Sequence, residues 1–173
     1  AVISLALEHI DKTPHDTPVA VNISTDSLCS AEFLIWFKGI VAKSGQQTRL
    51  HIEVNESSIL NNLDRACEFR SQLKDSEVSF GVDNFGIHPA GFSYLYSLQP
   101  DYIKIDGSLI REIDTQAEDR FYISSLIAIA HSLSVKAYAE HVERETQLME
   151  LSKLQIDGTQ GWLHGQPERL TAD

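Results

Sequence analysis

Residues 81–92, GVDNFGIHPAGF, end an apolar run on an acid and an amide, Asp83 and Asn84, then pass through Phe85 and Gly86 into an irregular loop. The same change recurs along the chain. The runs PVAVNIS (18–24), RLHIEV (49–54), EVSFGVD (77–83), DYIKID (101–106), VKAYAE (135–140) and IDGTQG (156–161) read as strands, being short and rich in β-branched or apolar residues. Between them, residues 1–10, 26–43, 57–74, 89–98, 116–133 and 144–154 carry the spacing of helices. Strands alternating with helices predict an α/β fold with a parallel sheet, either doubly wound or a barrel.

The polar residues at the strand ends separate those two architectures. Nearly every run closes on lone pairs or charge: Asn22 and Ser24, Glu53 and Glu56, Asp83 and Asn84, Lys104 and Asp106, Glu140 and Glu143, and Gln160. In a barrel the C-terminal ends of successive strands converge on one mouth, so these residues would meet around a single ligand. A doubly wound sheet would spread them along an edge and bring together only those at its switch point. A TIM-like (β/α) barrel accounts for more of them.

Composition bounds the rest. At 173 residues and 42% hydrophobic content the chain supports one sizeable core, so a single domain over residues 1–173 is expected. No run approaches the roughly 18 apolar residues of a membrane span, and no charged-then-apolar leader opens the sequence. Fourteen Lys and Arg against 25 Asp and Glu give −11, which repels a nucleic-acid duplex. Cys29 and Cys67 lack metal-ligand spacing and read as reduced thiols of a cytosol-like compartment.

Each polar residue also has a plain structural reading. Asp83 and Asp106 suit helix N-caps, the latter for GSLI, and Glu56 suits the first turn of a helix, where the macrodipole favours an acid. Asn22 can bond backbone in its turn. Glu53 lies inside an apolar run, where a carboxylate is costly without a donor or cation. Lys104 alternates with Ile103 and Ile105, so in a barrel it points inward and pairs with the acids. Together, carboxylates with an Asn and a Gln form an oxygen-rich mouth suited to Mg²⁺ or Mn²⁺, the apparatus of two-metal phosphodiester hydrolysis with ions about 3.5–4 Å apart. The seven histidines, His9, His15, His51, His88, His131, His141 and His164, show no paired ligand spacing, and there is no Walker loop and no H-E-x-x-H.

The ordered set VAVNIS, HIEVNES, FGVDNFG, PDYIKID, AYAEHVE and DGTQGW, spread over residues 19–167, resembles the EAL domains, bacterial phosphodiesterases and receptors for cyclic diguanylate (cyclic di-GMP). The resemblance implies a (β/α) barrel, with metal ligands at Asn22, Glu53, Asp83 and Asn84. It implies that Lys104 positions the catalytic water, that Glu140 serves as a further metal or base residue, and that Glu56 anchors the loop after Asp83. Asp83, Asp106, Glu143 and Gln160 would contact the dinucleotide.

Departures from the family pattern qualify the activity this implies. Active members read D-D-F-G-T-G where this chain reads DNFGIH, so a carboxylate expected at the second metal is the neutral amide of Asn84, and Ile87-His88 replaces Thr-Gly. Pro89 stiffens the residues after it. AEHVE stands for A-E-G-V-E, placing His141 at a glycine position, and the E-A-L motif itself does not occur in these residues. The expectation is therefore a barrel incomplete at its N-terminus, whose exposed edge dimerises or is covered by other domains of the same protein. EDRFYISSLIAIAHSL and GFSYLYSLQPDYIKID are similar to LapD-type receptors, inner-membrane proteins whose degenerate EAL domain binds cyclic di-GMP on the cytoplasmic side, although the first of these is also an amphipathic barrel helix. Two classes stay open: a degenerate EAL domain acting as a cyclic di-GMP receptor, and an active or weakly active metal-dependent phosphodiesterase.

Overall fold

The computed structural model describes residues 2–13, 17–88 and 91–166. Pro89, His15 and Pro167 lie outside the described residues. The chain divides into two compact units, Ala1–Gly81 with Ser93–Pro100, and Val82–Phe92 with Asp101–Asp173.

The first unit carries α1 (Val2–Lys12), β1 (Val19–Asn22), α2 (Thr25–Cys29), α3 (Ala31–Val41), β2 (Leu50–Asn55), α4 (Glu56–Asn61) and α5 (Leu63–Leu73). The start of β3 (Ser79–Phe85) and α6 (Ser93–Leu98) complete it. Strands β1 and β2 run parallel, with Val19 opposite Leu50 and Asn22 opposite Glu53. Leu50, Ile52 and Val54 of β2 are fully buried. Phe33, Phe37, Phe69 and Phe80 form a continuous aromatic cluster with ring centroids about 6 Å apart, the offset packing such rings prefer.

Two helices expected to be continuous are each broken. Over 26–43, Ser30 leaves helical geometry and its hydroxyl accepts the Phe33 N–H, which caps a new helix at Ala31. Over 57–74, Asn62 adopts φ −141° and ψ 44°, and its side-chain amide donates back to the Ser58 carbonyl. A short polar side chain competing for backbone partners interrupts both, which apolar spacing does not reveal.

The second unit carries the rest of β3, then β4 (Tyr102–Ile105), α7 (Gly107–Ile110), α8 (Ala117–Ser132), β5 (Lys136–Ala139), α9 (Glu145–Lys153) and β6 (Gly158–Thr159). Strand β4 pairs in parallel with β5, and β5 with β6. All four residues of β4 are buried, as expected for a strand covered on both faces. The strand order follows the chain, β1-β2-β3-β4-β5-β6, with no reversal. A doubly wound sheet reverses at its switch point, so this is the TIM-like α/β topology, with six strands among the described residues against the eight of a closed barrel.

Candidate functional site

In the first unit, Asn22 closes β1 beside Glu53, and its side-chain amide donates to Glu53 Oε2 over 3.5 Å, a long bond. Glu53 is buried between Ile52 and Val54. Asn55 caps α4 by accepting the Ser57 N–H at 2.9 Å, which places Glu56 in the first turn. Glu56 is more than a helix-terminal acid, because it is 1% exposed and its Oε1 accepts the Tyr94 hydroxyl at 2.7 Å. Tyr94 lies in the first turn of α6, so Glu56 holds the start of that helix. Burial pushes the Tyr94 hydroxyl pKa up, and the Glu56 charge and hydrogen bond add to the shift. The phenol therefore remains a donor.

In the second unit, β3 does not stop at Asp83 but continues to Phe85, with Asn84 at φ 52°. Few side chains accept the left-handed region, and Asn is among those that do. The amide at position 84 thus has a backbone reason as well as a chemical consequence. Gly86, at φ 97°, holds a backbone conformation that L side chains rarely adopt, and a Cβ there would lie 2.7 Å from Leu126 Cδ1. The Tyr122 hydroxyl donates to the Gly86 carbonyl at 2.7 Å, fixing the loop entry to α8.

Lys104, 7% exposed in the middle of β4, reaches two acids. Its Nζ lies 2.7 Å from Glu140 Oε1 and 3.3 Å from Asp83 Oδ1. Asp83 Oδ1 is buried and makes no hydrogen bond, so the ammonium neutralises it by charge alone. Lys104 thus bridges two carboxylates and leaves Asp83 Oδ1 without a hydrogen bond, an arrangement suited to a further cation or donor.

The four positions expected to contact a dinucleotide all lie in the second unit, where Glu143 links the surroundings of Asp106 to those of Gln160. Asp106 caps α7 through the Ser108 N–H at 2.8 Å, the structural role its sequence context allowed. It lines a small cleft of about 170 Å³ with Ser108, Arg111, His141, Glu143 and Arg144. Glu143 also lines a larger cleft of about 540 Å³, together with Glu140, Gln160, Trp162 and His164. Gln160 is positioned by backbone bonds, its N–H donating to Ala139 and its carbonyl accepting from Val142. The close approach of Gly161 to the Val142 backbone leaves no room for a Cβ there. Asp83 belongs to the Lys104 cluster and lines neither cleft.

Several residues that organise this region were not singled out from sequence. Gln147, 1% exposed, accepts the Glu143 and Arg144 N–H groups and donates to the Ile110 and Arg111 carbonyls. Its place three residues after the N-cap Arg144 is the available signal. Arg144 grips Asp114 through two nitrogens and, with Thr146, holds the Asp114 carboxyl down to about 2. Tyr94 and Trp162 stood inside quoted motifs without a role of their own. Among the described residues no group of three or more His, Cys, Asp or Glu is arranged to hold a metal ion. The donors implied for a cation are nonetheless hard oxygens, and the unbonded Asp83 Oδ1 is an open acceptor of that kind.

A family model described as the EAL domain matches residues 1–167. The chain belongs to the EAL-domain family. The match extends the resemblance read from residue 19 back over α1. The chain is 33% identical over 152 residues to cyclic di-GMP phosphodiesterase PdeA of Borreliella burgdorferi, covering 87% of this chain and 23% of that protein. It is 32% identical to cyclic di-GMP phosphodiesterase PdeF of Escherichia coli, covering 87% and 20%. Among solved structures, the PaMucR phosphodiesterase in complex with cyclic di-GMP superposes with a TM-score of 0.89 at 27% identity, covering 98% of this chain and 70% of that one. The Vibrio cholerae LapD S helix-GGDEF-EAL structure bound to cyclic di-GMP gives 0.85 at 27%, covering 94% and 40%. The EAL chain thus spans about a fifth of the curated relatives, and its relatives include both phosphodiesterases and LapD.

Proposed function

We propose that this EAL domain is a catalytically degenerate receptor for cyclic di-GMP, serving as a signalling module of a larger bacterial regulator. The observation that carries the reading is the amide at Asn84 beside the Lys104 cluster. A second ion would find a neutral ligand there, on a strand whose left-handed residue suits Asn. Two-metal hydrolysis depends on carboxylates neutralising both ions, and each lost ligand removes transition-state stabilisation worth several kcal/mol.

In this reading Mg²⁺ or Mn²⁺, where bound, supplies positive charge to the ligand phosphates; the ligand positions that the family implies are Asn22 and Glu53 in the first unit and Asp83, with the weak Asn84, in the second. Lys104 and Glu140 are vestigial catalytic residues, and Glu56, the loop-anchoring position that the family implies, acts through Tyr94 at the start of α6. Glu143 and Gln160 contact the dinucleotide in the larger cleft and Asp83 approaches it from the Lys104 cluster, while Asp106 caps α7 in the smaller cleft. The likeness to LapD extends the proposal to a cytoplasmic domain of an inner-membrane protein, paired with a second copy or with other domains of its own chain. Among the described residues no helix is long and apolar enough to cross a membrane.

The alternative is an active or weakly active phosphodiesterase. It is favoured by the retained Glu53, Asp83, Lys104 and Glu140 and by the relatives PdeA and PdeF. Calorimetric titration of the full-length protein with cyclic di-GMP, with and without Mg²⁺, alongside a hydrolysis assay, separates the two. Binding with turnover far below about 1 s⁻¹ supports the receptor, and turnover at that rate or above refutes it.

A further inference from the structure

His141 combines three features. It sits at φ 55°, a region that few side chains other than Asn, Asp and His enter. Its imidazole packs directly over Gly107, so closely that a Cβ on Gly107 would collide with the ring. It also lines both the 540 Å³ cleft and the 170 Å³ cleft. A residue in a sparsely populated conformation persists only where its surroundings hold it, and such residues concentrate at binding sites.

We propose that His141 is a specificity-determining residue, a wall between the two clefts that restricts the larger one to a compact cyclic dinucleotide. The inference rests on the cyclic di-GMP reading. Beyond the wall, the smaller cleft carries the cationic side chains of Arg111 and Arg144 and the Ser108 hydroxyl, against the carboxylates of Asp106 and Glu143. Asp106 is already engaged by Ser108, and Arg144 by Asp114. Arg111 is therefore the cation left to meet a phosphate monoester. A linear diguanylate differs from the cyclic ligand by one such terminal phosphate, which needs space and a cation that the cyclic form does not. With the imidazole in place that space is divided; without it the clefts join, and the terminal phosphate gains access to Arg111.

The experiment is calorimetric titration of the full-length protein and its His141→Gly variant with cyclic di-GMP and with 5′-phosphorylated linear diguanylate. Glycine accepts φ 55° without strain, so the variant should melt within about 2 °C of the parent, which makes folding a separate readout. The expected result is a shift in the cyclic-to-linear affinity ratio of about tenfold or more towards the linear ligand, the effect of one charged contact. His141→Gly,Arg111→Ala should return the ratio to within about threefold of the parent. A parent that binds cyclic di-GMP, with a His141→Gly ratio unchanged within about twofold, overturns the role of His141 alone. If the His141→Gly shift survives loss of Arg111, the cationic cleft is not the cause and the proposal falls. A parent that binds neither ligand overturns the receptor reading itself, and the inference with it.

Discussion

The two units each bury carboxylates and satisfy them in different ways. In the first, Glu56 meets a neutral phenol, Tyr94, at 2.7 Å. In the second, Glu140 and Asp83 share the ammonium of Lys104 at 2.7 and 3.3 Å, and Asp83 Oδ1 has no hydrogen bond. A neutral donor fixes a carboxylate without changing its charge, which suits a support for a helix. A shared ammonium leaves an open oxygen on Asp83, which suits a site that acquires another partner. Burial alone does not distinguish support from site; the partner does.

The comparison is broken most severely by removing the ammonium. Lys104→Ala leaves buried Glu140 and half-buried Asp83 without their shared cation and should destabilise the protein by about 3–5 kcal/mol, read as a lower midpoint in urea unfolding. A loss below about 1 kcal/mol would show that water already screens the cluster. Next in size, Tyr94→Phe removes one donor from Glu56 and should cost about 1–3 kcal/mol. Glu56→Gln, which keeps an oxygen for the Tyr94 hydroxyl, should cost less, and the reverse order would mean that the Glu56 charge itself is needed there.

Proton linkage sharpens the same contrast. A raised native pKa, as for Tyr94, contributes stability in full below the unfolded value and loses it as pH climbs past that, so this contact should persist through neutral pH and fade only above about pH 10. Asp114 has the opposite sign. Its native pKa is lowered to about 2 by the Arg144 and Thr146 hydrogen bonds, so its contribution is present above the usual value near 3.8 and is lost as pH falls towards 2. Asp114→Asn should flatten unfolding free energy against pH in that acid window and leave the neutral range nearly unchanged. This is the smallest effect, because the Arg144 side chain is substantially exposed.

The sequence by itself determined the six strands and their alternation with helices. Each of β1 to β6 overlaps a run read from β-branched and apolar content, because that content reports burial on a pleated surface, although β2 extends to Asn55 and β3 to Phe85, past the ends of their runs. The inward direction of Lys104 was legible for the same reason: strand alternation sets a side chain's face before its partner is known. The family was legible in ordered short motifs. Tertiary structure decided the partners. That Glu56 meets Tyr94, 38 residues away, that Gln147 ties α9 to the end of α7, and that Asp106 and Gln160 line different clefts all depend on where loops return the chain. The breaks at Ser30 and Asn62 and the positive φ at Asn84 and His141 were equally hidden. Hydrophobic period records which face is buried, while a hydrogen bond or a left-handed residue is fixed by the particular atoms that packing brings near it.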